Sequence, residues 1–286
     1  MRMGRKRAFW GVLFITPFML GCAVFYFFPF LVSLYYSMTE GFSDKTFAGL
    51  TNYIELFQNQ AFLLALKNTA VFMLIAIPLL IAAALLTGLL VHSLGKFGKI
   101  VQGILILPMI VPIASVIRVW QILFDNSGVL NHILSVLGIG EQHFFQGGWA
   151  MALVILIFVW KNFGYLSILY SVAILTIPGG CIEAAKLDGA GKWKVFGKII
   201  LPFLNPTTFF VLLLAVIDSF KIFREVFLLT GEYPDTSIYF IQHYMNNNFY
   251  NLDYQKLSSA STVLTLCIVI IVAAVFRKEK RSAYME

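Results

Sequence analysis

Six long apolar stretches, separated by shorter polar segments, dominate the pattern of this 286-residue chain. Each stretch is long enough to cross a bilayer, which takes about 20 helical residues. They cover approximately residues 9–36, 69–92, 100–124, 149–177, 200–229 and 257–276. In lipid the backbone must satisfy its own hydrogen bonds, so we predict that the stretches are α-helices. The pattern therefore predicts an all-α integral membrane protein with six transmembrane helices in one domain, residues 1–286.

The composition supports a membrane environment. Hydrophobic residues make up 59% of the chain and charged residues only 12%, whereas soluble domains carry about 25% charged residues. The polar residues are too few to coat a soluble core, so we expect membrane lipid to surround much of the surface. The three cysteines, Cys22, Cys181 and Cys267, are isolated, which favours neither a disulfide framework nor a zinc site.

The basic residues predict the orientation in the membrane. Cations concentrate at both termini and in the connections that follow the second and fourth stretches. These are Arg2, Arg5, Lys6, Arg7, Lys96, Lys99, Lys186, Lys192, Lys194, Lys198, Arg277, Lys278, Lys280 and Arg281. The opposite side has only Lys45, Lys67 and Lys256. Because basic loops stay in the cytoplasm, we predict that both termini are cytoplasmic, and that the net charge of +7 reflects topology rather than a nucleic-acid partner.

The amino terminus also fits a second interpretation. Arg5-Lys6-Arg7, the apolar run and Leu20-Gly21-Cys22 resemble a lipoprotein signal that ends at its cysteine. The apolar run continues through Leu34, however, which is long enough to span the bilayer. We therefore favour an uncleaved first helix.

The inner loop, residues 178–199, contains residues that favour a short helix between residues that end helices. Pro178 and the two glycines after it should end the fourth helix. Residues 183–187 favour helix, which Gly189 and Gly191 should end, while Pro202 is tolerated near the start of the fifth helix. We predict a short helix at the cytoplasmic surface, where the Glu183 carboxylate could accept hydrogen bonds from a partner protein.

This loop resembles that of the permease subunits of binding-protein-dependent ABC importers. The motif of that family reads Glu-Ala-Ala, three residues, glycine, nine residues, isoleucine, any residue, and Leu-Pro. Its defined positions are filled here by Glu183, Ala184, Ala185, Gly189, Ile199, Leu201 and Pro202. Looser patterns, such as Leu107-Pro108 and Asp188-Gly189-Ala190, are similar to the sugar-uptake class that includes the maltose permease.

The resemblance implies a six-helix ABC importer permease fold and a set of partners. These are a second homologous permease, two ATPase subunits, an extracytoplasmic solute-binding protein and a carbohydrate substrate such as an oligosaccharide, at a bacterial or archaeal cell (inner) membrane. The residues implied to couple the chain to the ATPase are Glu183, Ala184, Ala185, Asp188, Gly189, Gly191, Leu201 and Pro202.

The sequence lacks the motifs of a catalytic subunit. The pattern nearest to a phosphate-binding loop, Gly191 with Gly197-Lys198, has the wrong spacing and is followed by Ile199 instead of a hydroxyl residue. Neither an HExxH helix nor a GxSxG turn occurs. We therefore expect no enzyme activity, cofactor or metal in this chain, and expect a partner ATPase to bind ATP and Mg.

Six ionisable residues lie within the predicted spans, where charge is costly and often functional. They are Arg118, Lys161, Asp218, Lys221, Arg224 and Glu225. The spacing of Asp218, Lys221 and Glu225 predicts that Lys221 faces both acids on one helix. These residues either pair within the protein or line a polar pathway that binds sugar hydroxyls. The pathway candidates are Lys161, Asn162, Tyr165, Asp218, Lys221, Trp120 and Arg118, with Lys161 and Asn162 foremost.

Other solutes and other classes of protein stay open at this point. Four cations against two acids leave room for an anionic saccharide. A permease for glycerol phosphate or amino acids would carry the same loop motif. A secondary transporter or channel would work without ATP but leaves the Glu183 loop unexplained, and a membrane enzyme would need acidic or histidine clusters, of which none stands out.

Overall fold

The computed structural model describes residues 2–41 and 46–283, with side chains for residues 10–41 and 46–277. Lys45, used above to predict the orientation, lies outside the described residues. The chain divides into two compact units. The amino-terminal unit comprises Met1–Leu63 with Met245–Ile270, and the central unit comprises Leu64–Tyr244 with Ile271–Glu286.

The amino-terminal unit begins with one long helical rod. Helix α1 (Arg2–Cys22), a π-helical turn (Ala23–Phe27) and helix α2 (Phe28–Ser37) follow one another without a break. None of the most apolar part of the rod is buried within the chain, as suits a surface that faces lipid. The helix therefore continues well past Cys22, as expected for a first span.

A small polar structure follows the rod. Strands β1 (Thr39–Glu40) and β2 (Thr46–Phe47) form an antiparallel ribbon, and helix α3 (Thr51–Gln58) follows it in the chain. The buried Asn52 donates hydrogen bonds of 3.0 Å to the carbonyl oxygens of both Ser37 and Thr39. Asn52 thus satisfies one backbone acceptor at the end of α2 and another at the start of β1. Neither the ribbon nor α3 was predicted.

The remaining helices belong wholly or partly to the central unit. They are α4 (Gln60–Ser93), α5 (Lys96–Ile110), α6 (Ile113–Phe124), α7 (Val129–Val136), α8 (Gly147–Leu175), α9 (Gly179–Leu187), α10 (Lys192–Val195), α11 (Leu201–Phe203), α12 (Asn205–Ser219), α13 (Phe223–Thr230), α14 (Ile241–Tyr250) and α15 (Tyr254–Ala283). Helix α4 begins in the amino-terminal unit, and α14 and α15 also contribute residues to both units.

Helix α8 forms the centre of the central unit. Phe158 of α8 packs edge-on against Phe72 of α4, with ring centroids 5.2 Å apart. Its Gly164 lies against α5 so closely that an added Cβ would sit 1.8 Å from the carbonyl oxygen of Leu105. Only glycine allows this approach. The close packing fixes α8 as the scaffold on which the charged residues are arranged.

The third predicted span is not a single helix. Helix α5 ends at Ile110, α6 begins at Ile113, and the two directions differ by 91°. Pro112 lacks a backbone N–H and disfavours helical geometry at Val111, whose ψ of 137° is extended. Pro112 therefore breaks the helix here, whereas Pro78 lies inside an uninterrupted α4.

The fifth predicted span is also broken, and it starts earlier than predicted. Helix α10 begins at Lys192 and continues through a π-helical turn (Phe196–Ile200) into α11, so most of residues 192–199 are helical rather than loop. A bend of 67° at Leu204 then separates α11 from α12. Pro202 and Pro206 explain both irregularities, because each removes a hydrogen-bond donor from the helix.

The described residues contain four unbroken helices that are long and apolar enough to cross a membrane. These are Trp10–Ser37, Gln60–Ser93, Gly147–Leu175 and Tyr254–Arg277. The two bent pairs raise the number to six if each pair is one span. The helical, multi-pass character is therefore confirmed, and the number six stays a prediction.

Candidate functional site

Most of the charged residues in the predicted spans form one cluster between α8 and the α12–α13 segment. Lys161 forms an ion pair with Glu225, and the hydroxyl of Tyr165 donates a hydrogen bond to Asp218. Lys221 Nζ lies 2.7 Å from the other oxygen of Asp218. Residues 161 and 165 share a face of α8 because they are four apart. Lys161, Tyr165, Asp218 and Lys221 are thus brought together.

The two ion pairs differ in burial. The side chains of Lys161 and Glu225 are 16% and 3% exposed, whereas that of Lys221 is 59% exposed. Glu225 Oε2 is buried and finds no hydrogen-bond donor among the described residues. A pair this buried costs desolvation of both charges, which their attraction must offset. Lys161–Glu225 is therefore a buried internal contact, and Asp218–Lys221 lies at an exposed edge.

The predicted contact between Lys221 and Glu225 is wrong. A short 3₁₀ turn, Phe220–Ile222, separates α12 from α13. Such a turn winds by about 120° per residue instead of 100°, which rotates Glu225 away from Lys221 and towards α8. Lys161 then supplies the cation.

Aromatic and amide side chains fasten α6 to this cluster. The rings of Trp120 and Trp160 meet edge-to-face, with centroids 5.5 Å apart. Gln121 Nε2 donates to the carbonyl oxygens of Leu228 (3.2 Å) and Leu229 (2.9 Å) at the end of α13. Arg118 Nη1 donates to Gln121 Oε1 at 3.1 Å. Trp120 and Arg118 therefore border the cluster.

Asn162 differs from the other pathway candidates. Its side chain is buried, and Nδ2 donates a 2.8 Å hydrogen bond to the carbonyl oxygen of Phe158, one turn back along α8. The amide group thus bonds to its own helix instead of reaching the charged cluster beside Lys161.

Helix α9 lies at the loop motif, where a short helix was predicted. It spans Gly179–Leu187 and ends in two hydrogen bonds, from Ala190 N to Ala185 O and from Gly189 N to Lys186 O. This pair of bonds is a Schellman motif, and Gly189 has the positive φ, +74°, that it requires. The end predicted at Gly189 is therefore observed.

The surface of α9 is open. Glu183 and Ala184 are exposed and Ala185 is half-buried. Leu187 and Trp193, which flank the Gly189 turn, are 88% and 87% exposed. Sequence reasoning did not select these two residues as site residues. The available signal was their size and apolarity within residues 186–194, which otherwise contain only lysine, aspartate, glycine and one alanine.

Two polar residues outside the spans organise the segment between α13 and α14. Asp235 Oδ1 accepts hydrogen bonds from Gly147 N (3.1 Å) and from Ser237, and the Ser237 bonds hold the pKa of Asp235 below its usual value. His243 is fully buried, and its Nδ1 accepts from the backbone N–H of Phe240 at 3.2 Å. Burial lowers the pKa of His243 to about 4.

The apolar helices, the charged cluster between them and the exposed short helix α9 define a multi-pass membrane transport subunit. The family of binding-protein-dependent transport system inner membrane components matches residues 80–278. This chain belongs to that family. The resemblance that we identified from the inner loop is therefore confirmed.

Individual relatives extend the similarity over nearly the whole chain. An sn-glycerol-3-phosphate transport system permease protein of Yersinia pestis is 30% identical over 276 residues, covering 94% of this chain and 93% of the relative. A trehalose/maltose transport system permease protein of Thermococcus litoralis is 29% identical over 280 residues, covering 95% and 93%. A chain of a bacterial ABC transporter that imports the acidic polysaccharide alginate has a TM-score of 0.82 and 25% identity, covering 98% and 99%.

Two of these relatives are named as transport system permease proteins, and the third belongs to an ABC transporter that imports alginate. The chain is accordingly a permease component of a multi-component ABC importer, a transport subunit rather than an enzyme. The helical fold agrees with that of the alginate transporter chain.

Proposed function

We propose that this chain forms half of the pathway by which a carbohydrate, such as an oligosaccharide, crosses a bacterial or archaeal inner membrane. An extracytoplasmic binding protein delivers the solute, and a second homologous permease forms the other half. Membership of the importer family carries this proposal, and permeases for trehalose/maltose and for alginate are among the relatives. In this proposal each of the two bent helix pairs is one span, so that the chain crosses the membrane six times. Both termini are then cytoplasmic.

We assign the solute pathway of this chain to the cluster between α6, α8 and α13. Lys161, Tyr165, Asp218, Lys221, Trp120 and Arg118 offer hydrogen-bonding groups beside aromatic faces, the combination that a sugar site needs. Asn162 stabilises α8 instead, because its side chain bonds to the backbone of that helix. The exposure of Lys221 and Arg118 supports contact with a polar path.

We assign the coupling of this chain to the ATPase to α9. One of two ATPase subunits would dock there and supply bound ATP and Mg. Glu183 would accept a hydrogen bond from the ATPase, and the small residues at 184, 185 and 189 allow close approach. Exposed Leu187 and Trp193 support this role, because they offer an apolar anchor on either side of Gly189. Asp188, Gly191, Leu201 and Pro202 would shape the turn and the start of the next helix.

Purification of the tagged chain from its native membrane, with mass spectrometry of everything that accompanies it, tests the proposal. We expect a second permease, an ATPase and a solute-binding protein. The binding protein can then be screened against neutral and acidic saccharides. Recovery of the chain alone, still catalysing solute flux in vesicles without ATP, would contradict the importer assembly and favour a secondary transporter.

A further inference from the structure

The ionisable residues of the predicted spans do not balance in charge. Glu225 is paired with Lys161, and Asp218 with Lys221 and the Tyr165 hydroxyl. Arg118 and Arg224 remain, and both are exposed. Among the described residues neither forms an ion pair with a carboxylate. Two guanidinium groups without a carboxylate partner are costly within membrane spans, which points to an anion from outside this chain.

The two arginines lie at the same depth on parallel helices. Helices α12 and α13 run antiparallel to α8, since Tyr165 meets Asp218 while Tyr170 meets Thr208. Helix α6 also runs antiparallel to α8, because Trp120 meets Trp160 near the middle of α8 while Phe124 approaches its start through Phe144 and Trp149. Helices α6 and α13 are therefore parallel to each other.

The depths follow from the helix ends. Arg118 lies six residues before the end of α6 at Phe124, and Arg224 lies six residues before the end of α13 at Thr230. Each is thus roughly 9 Å along its helix from that end, at 1.5 Å per residue.

The same edge of the two helices carries both arginines. Arg118 bonds to Gln121, and Gln121 bonds to the carbonyl oxygen of Leu228 on α13. Leu228 is four residues after Arg224, so the two residues share a helix face. The Trp120–Trp160 aromatic pair lies within one turn of Arg118. One guanidinium group near two aromatic faces, with a second at a similar depth on the neighbouring helix, suits a ring-shaped solute with an acidic substituent.

We propose that Arg118 and Arg224 together bind the carboxylate or phosphate group of an anionic solute as it passes through the pathway. This inference rests on the proposed importer function and names its solute class: an acidic saccharide or a sugar-like phosphate ester. Arginine suits both groups because its planar donors match two oxygens at once.

A lipid phosphate is a second source of the same chemistry, and the structure favours the solute. Lys221 lies one turn deeper than Arg224 on the same face, about 14 Å from the end of α13, and is 59% exposed. Asp218 lies deeper still. A phospholipid headgroup at the helix end does not reach that depth, so this face is suited to a polar path rather than to lipid.

Uptake by the co-purified importer in proteoliposomes tests the inference. The probes are two matched pairs: trigalacturonate with maltotriose, and glycerol 3-phosphate with glycerol. We expect the wild type to import the anionic member of at least one pair faster than its neutral match, with ATP. Arg118→Gln and Arg224→Gln should each lower that anionic-to-neutral ratio about tenfold, equivalent to about 1.4 kcal/mol. Arg118→Lys should recover part of the loss.

The controls separate the possible failures. Lys67→Gln removes an exposed cation from a different helix, α4, and should leave the ratio unchanged. Preference for the neutral members, or an unchanged ratio in both arginine variants, would overturn the inference but leave the importer function standing. Absence of ATP-dependent uptake of all four probes would count against the proposed function itself.

Two further outcomes would also overturn the inference. If phosphatidylglycerol raises the thermal stability of the wild type but not of Arg118→Gln, and the uptake ratio stays unchanged, the anion is a lipid phosphate. If the arginine variants lose the second permease during purification, the anion is a carboxylate of that partner. Gel filtration of each variant in detergent shows whether it still folds and assembles.

Discussion

Lys161 and Glu225 depend on each other in a way that a double-variant experiment can measure. Lys161→Met leaves a buried carboxylate without a partner and should lower stability by about 3–5 kcal/mol. Lys161→Met combined with Glu225→Leu removes both charges and should recover most of that loss. The measurement is the thermal unfolding midpoint of each purified variant in detergent.

The same pair of variants decides what Lys161 does. Additive losses in the double variant would contradict the ion pair. A stable double variant that still imports its solute at the wild-type rate would assign Lys161 to structure alone, and one that assembles but no longer imports would support its place in the pathway.

His243 should make the folded state sensitive to acid. The unfolded chain binds a proton at this residue with a pKa near 6.5, whereas burial lowers the pKa of the folded state to about 4. Protonation therefore favours unfolding as the pH falls from 6.5 towards 4, by about 2 kcal/mol at pH 5. The unfolding midpoint should drop more between pH 7.5 and pH 5 in the wild type than in His243→Asn, which keeps an acceptor for Phe240 N–H. Equal drops would contradict this.

At the scale of residues, the sequence identified the charged groups but not their partners. Spacing alone correctly placed Lys221 beside Asp218, because both lie close together on one helix. It failed for Glu225, since a 3₁₀ turn changes the angle between helix faces and the actual partner comes from α8, 64 residues away in the chain. Contacts between helices depend on packing that periodicity does not record.

At the scale of elements, the existence of the long apolar helices was predictable, whereas their continuity and most of the short helices between them, such as α3, were not. Apolar length identified α4 and α8 within a few residues at most ends, although α4 begins at Gln60 rather than 69. Pro112, Pro202 and Pro206 lie where helices break or bend, yet Pro78 lies in an unbroken helix. The presence of a proline in the sequence therefore does not by itself predict a break. Whether a proline bends or breaks a helix depends on neighbours that supply the missing hydrogen bonds.

Helix α9 supports a prediction about the ATPase. Glu183→Ala and Trp193→Ala should each lower the amount of ATPase that co-purifies with the chain, by about tenfold if each is an anchor residue. Lys194→Ala changes an exposed neighbour of Trp193 and serves as the control. Quantitative mass spectrometry of the purified complexes gives the ratio. Full ATPase recovery together with wild-type uptake in both variants would remove α9 from the coupling mechanism.

At the scale of the whole molecule, the distribution of cations implies one orientation, and Cys181 provides a way to test it. Cys181 is an exposed free cysteine on α9, whereas Cys22 and Cys267 are half-buried within apolar helices. If the basic loops are cytoplasmic, α9 is cytoplasmic too. A membrane-impermeant maleimide should then label the chain in inside-out vesicles stripped of peripheral ATPase but not in intact cells, and Cys181→Ser should abolish that labelling. Labelling from outside intact cells would reverse the topology and place α9 on the side of the binding protein, where no ATPase could reach it.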